Sequence, residues 1–166
     1  IPGLKVVLPS NAYEAKGQLD TAIADYNEVL RFEPREPAAF YNRGVARFKK
    51  GQVTEAIADY SEAIRLDPLY EKAYYNRGLA RARMKKHDEA LADFQRMHRL
   101  ARQDKNPSFE LYALSGQAVV TSRLGRIDVA RERVRDADDL QREAKLPTES
   151  APVLWLGIAH AAGLPG

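Results

Sequence analysis

Three histidines, His87, His98 and His160, are the side chains best suited by type to proton transfer or metal binding near neutral pH. They stand far apart and never at a metal-ligand spacing, so they are expected to be solvated or packing residues, with His87 in a turn between two helices and His98 on a helix. The chain has no cysteine, which excludes a disulfide scaffold, a thiolate metal site and a thiol nucleophile together. The carboxylate pairs Asp88-Glu89 and Asp138-Asp139 read as a helix start and a solvated helix face. Gly-Gln at 17–18 and again at 51–52 is expected to end a helix, and no Gly-rich phosphate loop occurs. No catalytic constellation, cofactor site or metal site emerges, and a non-enzymatic protein is expected.

What remains is electrostatic. Arg77, Arg81, Arg83, Lys85 and Lys86 form a basic stretch over 77–86, and phosphate binding needs several cations on one face. On a helix Arg77 and Arg81 share a side, whereas Arg83 points elsewhere. With 26 basic and 23 acidic residues the net charge is only +3, a modest field. A solvated face or a contact with an acidic partner is the preferred reading, and a nucleic-acid-binding helical repeat the alternative.

The elements that carry these residues follow from length and periodicity. At 166 residues, 45% hydrophobic and 30% charged, the chain forms one compact domain or one stretch of solenoid. No run reaches the ~18–20 apolar residues that cross a bilayer; the most apolar stretch, Ala151 to Leu164, is short and carries His160. Pro2, Gly3 and Pro9 interrupt the apolar start, so no signal peptide is read, and Ile1 in place of Met suggests an excised or processed form. The compartment stays open between cytoplasm and periplasm.

Internal repetition decides the fold class. Phe40-Tyr41-Asn42-Arg43-Gly44-Val45-Ala46-Arg47 returns 34 residues later as Tyr74-Tyr75-Asn76-Arg77-Gly78-Leu79-Ala80-Arg81. Ala22-Ile23-Ala24-Asp25-Tyr26 returns as Ala56-Ile57-Ala58-Asp59-Tyr60 and as Ala90-Leu91-Ala92-Asp93-Phe94. A fourth copy, with Leu114, Ala118, Gly125, Asp128, Ala130, Val134 and Ala137, is displaced by six residues, placed in a loop around Asp104 to Glu110 marked by Asn106-Pro107. Apolar steps of three and four predict two helices per unit. Asp20, Thr54, Asp88 and Asp128 are expected to cap the second helices, and Phe32-Glu33-Pro34 and Leu66-Asp67-Pro68 to end them. Gly44, Gly78 and Ala118 are expected at the crossings, with Tyr26, Tyr60 and Phe94 filling the space beside the small residues.

The succession of aromatic, small residue, Gly, Ala, aromatic, Ala and Pro that Phe40, Gly44, Gly51, Ala56, Tyr60, Ala63 and Pro68 supply resembles the tetratricopeptide repeat family. The next unit keeps Tyr74, Gly78, Ala90 and Phe94 and departs at Lys85, Met97 and Arg102. The resemblance implies an all-α, right-handed superhelical solenoid of antiparallel helix pairs. Its array would span residues 18–144, in units of about 3–36, 37–70, 71–104 and 111–144. An irregular segment 1–17, helical only over Ser10 to Lys16, would precede it. Residues 145–166 would form a capping helix or a partial fifth repeat around Trp155, with Thr148 or Ser150 as its cap. A short likeness of Ile1 to Gly17 to the β subunits of 2-oxoacid dehydrogenases stops at Gly17 and is read as coincidence.

Function enters through the same resemblance, which implies a scaffold or adaptor holding a partner's peptide or helix in a concave groove lined by first helices. Carried over by position, the groove residues are Tyr41, Asn42, Val45, Phe48 and Lys49, with Ala38, in the second unit. In the third they are Lys72, Tyr75, Asn76, Leu79 and Arg83, with Ala82; in the fourth they are Tyr112 and Arg123, with Ser115, Val119 and Ser122. Tyr41 and Tyr75 could instead belong to the core between helices. Some members of the family clamp the acidic tail of heat-shock chaperones; Asn11, Asn42 and Lys72 fit that pattern, while Val7 and Asn76 replace its first Lys and its Arg. The array ends offer a further place for self-association.

Overall fold

The structure is a computed structural model that describes residues 16–146. Among these residues there are seven helices and no strand: α1 (Lys16–Phe32), α2 (Pro37–Lys50), α3 (Val53–Leu66), α4 (Glu71–Arg83), α5 (His87–Gln103), α6 (Pro107–Arg123) and α7 (Ile127–Glu143). Each helix packs chiefly against its neighbours in sequence, so α2/α3, α4/α5 and α6/α7 form antiparallel pairs stacked in order. The first helices of successive pairs also touch, α2 with α4 and α4 with α6. They therefore make a continuous inner layer, with α3, α5 and α7 outside it. The all-α helical-repeat solenoid expected from the sequence is what the chain adopts.

Local chemistry explains the helix limits. Glu36 caps α2 by accepting the Ala38 N–H at 3.1 Å, with Pro37 at the position where a missing N–H costs nothing. Gly51 takes φ +90° after α2, and the Gln52 N–H closes back on the Arg47 carbonyl at 2.9 Å. α1 and α3 stop at Phe32 and Leu66, just before Pro34 and Pro68, as the proline spacing requires.

Several local expectations fail. Thr54, Asp88 and Asp128 are second residues of α3, α5 and α7; the caps are Gln52, Lys86 and Arg126, none with a side-chain cap bond. The turn before each helix closes by backbone alone, Lys86 N–H to Arg81 and Arg126 N–H to Thr121, both 2.9 Å, so the helix starts before a side-chain cap is reached. His87 is accordingly the first residue of α5 rather than a turn residue. Gly17-Gln18 does not end a helix, because α1 runs through it from Lys16, and Asp20 lies inside α1. The displacement of the fourth unit is not a loop: Asn106 caps α6 by accepting the Phe109 N–H, Pro107 opens the helix, and α5 and α6 have 17 residues each against 14 in α2 and α3. The helix expected over Ser10 to Lys16 and the segment after Leu146, with Trp155 and His160, lie outside the described residues, except for Lys16, which opens α1.

The core consists of aromatic rings laid on small residues. A Cβ on Gly44 would sit 2.8 Å from Tyr60 Cε1, and one on Gly78 2.8 Å from Phe94 Cε1. Ala118 is buried in α6 as expected, but the closest approach belongs to Gly116, whose added Cβ would come within 2.7 Å of Phe94. Phe94 is thus wedged between α4 and α6 and welds the third pair to the fourth. Each ring of this kind is about 1% exposed, and its burial is worth roughly 1.5–3 kcal/mol. α6, pressed by α4, α5 and α7, is buried on most sides.

Candidate peptide-binding groove

The repeated Arg residues sort into two kinds once their partners are seen. In the second pair, Arg43 and Arg47 of α2 both reach Asp59 of α3, at 2.6 Å (Arg43 Nη2) and 2.7 Å (Arg47 Nη1). In the third, Arg77 and Arg81 of α4 close on Asp93 of α5 at 2.7 and 2.6 Å. Each aspartate is about 3% exposed. Arg43 also donates to Asn27 of α1 and Arg77 to Ser61 of α3, so each clamp ties its pair to the preceding unit. These triads were missed from the sequence, although the signal was present as Arg at i and i+4 facing Asp in the recurring Ala-x-Ala-Asp-aromatic string.

The inner layer carries the candidate groove. At the end where the first helices finish, Phe48 of α2, Leu79 and Ala82 of α4 and Val119 of α6 form the apolar floor of a cleft of about 640 Å³. Arg83, Lys85, His87 and Arg123 form its rim. Arg83, Lys85 and Arg123 are exposed, and Arg83 holds its guanidinium 5.5 Å from the Phe48 ring centroid. Six of the residues carried over by position, Phe48, Leu79, Ala82, Arg83, Val119 and Arg123, are brought together here. Lys85 and His87 were not among them, though Lys85 stands where the preceding unit has Gly51.

Further along the same helices lies an aromatic ladder. Tyr75 packs at a tilt against Tyr112 at 5.7 Å between centroids and against Phe94 at 5.8 Å, and Tyr41 meets Tyr70 edge-on at 5.1 Å. Asn76 donates to the Tyr41 hydroxyl at 2.9 Å, joining α4 to α2. Tyr41 and Tyr75 are half-buried, and each ring packs against the core. Burial, and then Tyr112, push the Tyr75 hydroxyl up; burial carries Tyr70 up to about 12. These phenols stay neutral and able to donate. Val45 packs toward Tyr60, Asn42 is half-buried, and Lys49 and Lys72 are exposed outside the cleft. Ser115 is buried, with its hydroxyl donated to the Leu111 carbonyl of its own helix, and so does not line the groove.

Other clusters are internally compensated. A second cleft of about 350 Å³ between α5, α6 and α7 holds His98 3.0 Å from Glu110, and Arg133 bridges Glu132 and Asp136. Among the described residues no three His, Asp or Glu side chains converge as a metal site, and no helix is long and apolar enough to cross a membrane.

Comparison with known proteins agrees with this architecture. The TPR repeat profile matches residues 11–51 and 46–85, and the tetratricopeptide repeat profile matches residues 71–104. The chain belongs to the tetratricopeptide repeat (TPR) family. Among solved structures it is similar to MamA, with a TM-score of 0.71 at 23% identity over 78% of this chain and 72% of that one, a likeness of fold. The first TPR of Spaghetti (RPAP3), solved with the HSP90 peptide SRMEEVD, is 28% identical over 66% of this chain and 82% of its own, with a TM-score of 0.60. The second TPR domain of human RPAP3, solved with the HSP70 peptide SGPTIEEVD, is 28% identical over 63% and 82%, with a TM-score of 0.56. No curated protein matches the chain. In this TPR array the repeated arginines of α2 and α4 hold the helix pairs together, and a different set of cations borders the cleft.

Proposed function

We propose that this TPR protein is a non-enzymatic interaction scaffold that seats a peptide segment or helix of a partner protein in the groove of α2, α4 and α6. The observation that carries the reading is the cleft itself: an apolar floor from three successive first helices under a rim of exposed cations, in a volume suited to ligand side chains. The peptide-bound RPAP3 structures support it by analogy. Tyr41, Asn42, Val45, Lys49, Lys72, Tyr75, Asn76 and Tyr112 continue the surface along which an extended segment would run. The alternative, nucleic-acid binding through residues 77–86, has less to draw on, because Arg77 and Arg81 are engaged with Asp93 and Lys86 lies 3.7 Å from Glu89.

The test is affinity capture with the full chain beside a Leu79→Glu variant shown by circular dichroism to be folded, with proteins and nucleic acid both quantified in the eluate. Proteins retained by the parent and lost from the variant are the expected result. Capture of the same proteins by both would refute the groove as the site. Nucleic acid that elutes alone and vanishes at high salt would favour the alternative.

A further inference from the structure

We infer that the α4–α5 end of the groove reads a carboxylate set beside a bulky apolar side chain, so that the partner segment is acidic and amphipathic. This rests on the groove reading above and specifies its ligand. Arg83, Lys85 and Arg123 border the cleft, no carboxylate lines it, and none among the described residues pairs with these three cations. Within the same basic stretch, by contrast, Arg77 and Arg81 close on Asp93, and Lys86 faces Glu89. Cations above an apolar floor repel one another and attract an incoming anion more strongly than they would in open water. The floor of Leu79, Ala82 and Val119 offers a seat for the neighbouring side chain, and His87 adds a buried Nδ1 with no hydrogen-bond partner.

The backbone of Lys85 is a second, independent observation. Lys85 has φ +61° at the turn position that Gly51 (φ +90°) fills one unit earlier and Gly125 (φ +74°) one unit later. A side chain there is strained where glycine is not. What the strain places is an ammonium on the cleft rim. Lys105 and Lys145 share the left-handed conformation but do not line the cleft, so strain alone does not mark the site. The chaperone-tail positions Asn42, Lys72 and Asn76 lie outside the cleft, and Asn76 is bonded to Tyr41. A phosphate backbone fits less well, because the aromatic of the floor, Phe48, already carries Arg83 over the ring where a base would stack.

The experiment is selection of a random dodecapeptide library against the full chain, followed by fluorescence-polarisation affinities for the selected peptides. Peptides with Asp or Glu one or two positions from Leu, Ile, Phe or Trp are expected. Their affinity should fall about tenfold in the Arg83→Ala/Arg123→Ala variant. Lys85→Gly should weaken binding several-fold while raising Tm by about 2–4 °C, opposite signs that a purely structural role would not give. Lys105→Gly should raise Tm and leave binding alone. Peptides lost on Leu79→Glu but without acidic enrichment, or insensitive to the arginine changes, overturn the carboxylate reading and leave the groove. Peptides indifferent to Leu79→Glu, or no selected peptide at all, overturn both. A single-stranded oligonucleotide that outcompetes the peptides at physiological salt and needs the same arginines assigns the cations to phosphate instead.

Discussion

Replacing Asp93 by Asn removes one negative charge from the centre of a buried triad without changing its shape. The carboxylate accepts from Arg77 Nε at 3.1 Å, Arg77 Nη2 at 2.7 Å and Arg81 Nη1 at 2.6 Å. An amide keeps one acceptor and turns an N–H toward a guanidinium that also donates, so at least one bond is lost and two arginines lose their counter-charge. Breaking a fully buried ion pair costs about 3–5 kcal/mol. Here the guanidinium side chains are 15% and 19% exposed, and Arg81 keeps Glu89 at 3.2 Å, so the expectation drops to about 2–4 kcal/mol. Against a total of roughly 5–15 kcal/mol this is a large fraction, and at a urea slope of about 2 kcal/mol/M it moves the midpoint by about 1–2 M. Equilibrium urea unfolding followed by circular dichroism measures it, with Asp59→Asn expected in the same range because its geometry is the same. The double variant Asp93→Asn/Arg77→Gln should lose less than the sum of the singles. A loss below about 0.5 kcal/mol, or strict additivity, would mean that the triads behave as screened surface pairs and that the reasoning is wrong.

Gly78→Ala should lower Tm despite the better helix propensity of Ala, because its Cβ would meet Phe94 Cε1 at 2.8 Å; the overpacking penalty of about 1–3 kcal/mol exceeds the roughly 1 kcal/mol gained, and Phe94→Leu in that background should restore part of the loss. Burial raises the hydroxyls of Tyr60, Tyr70 and Tyr75, so above pH 10 the unfolded chain sheds tyrosine protons that the folded chain keeps; stability present below pH 10 should be lost between pH 10 and 12, and comparing melting at pH 9 and 11 in parent and Tyr60→Phe, which should be less sensitive, tests the sign. Lys105→Gly, relieving φ +51° at the α5–α6 turn, should stabilise the chain by about 0.5–1 kcal/mol in urea unfolding; an unchanged midpoint would show the left-handed lysines to be unstrained.

The repeat carried by Asn-Arg-Gly and by Ala-x-Ala-Asp-aromatic, with its 34-residue step, was enough to establish a stack of helix pairs, because packing small residues against rings at fixed spacing is a local requirement written into each copy. The proline stops were legible for the same reason. The caps were not: backbone closure across a short turn competes with a side-chain cap, and that competition depends on where the preceding helix ends. Nor was the course of α1 through Gly17, since a glycine inside a helix and one beyond its end look alike in sequence. The six extra residues of the fourth unit read as a loop because Asn106-Pro107 is a turn signal, yet the same pair caps and opens α6, and the added length is taken up in α5 and α6. The fate of the cations depended most on tertiary structure. Arg77, Arg81, Arg83 and Lys85 are near neighbours in the chain, yet the first two meet a carboxylate on α5 and the others border a cleft completed by Arg123 of α6. Helical period says which side chains share a face, but charge pairing is decided by distances between helices, and those exist only once the pairs are stacked.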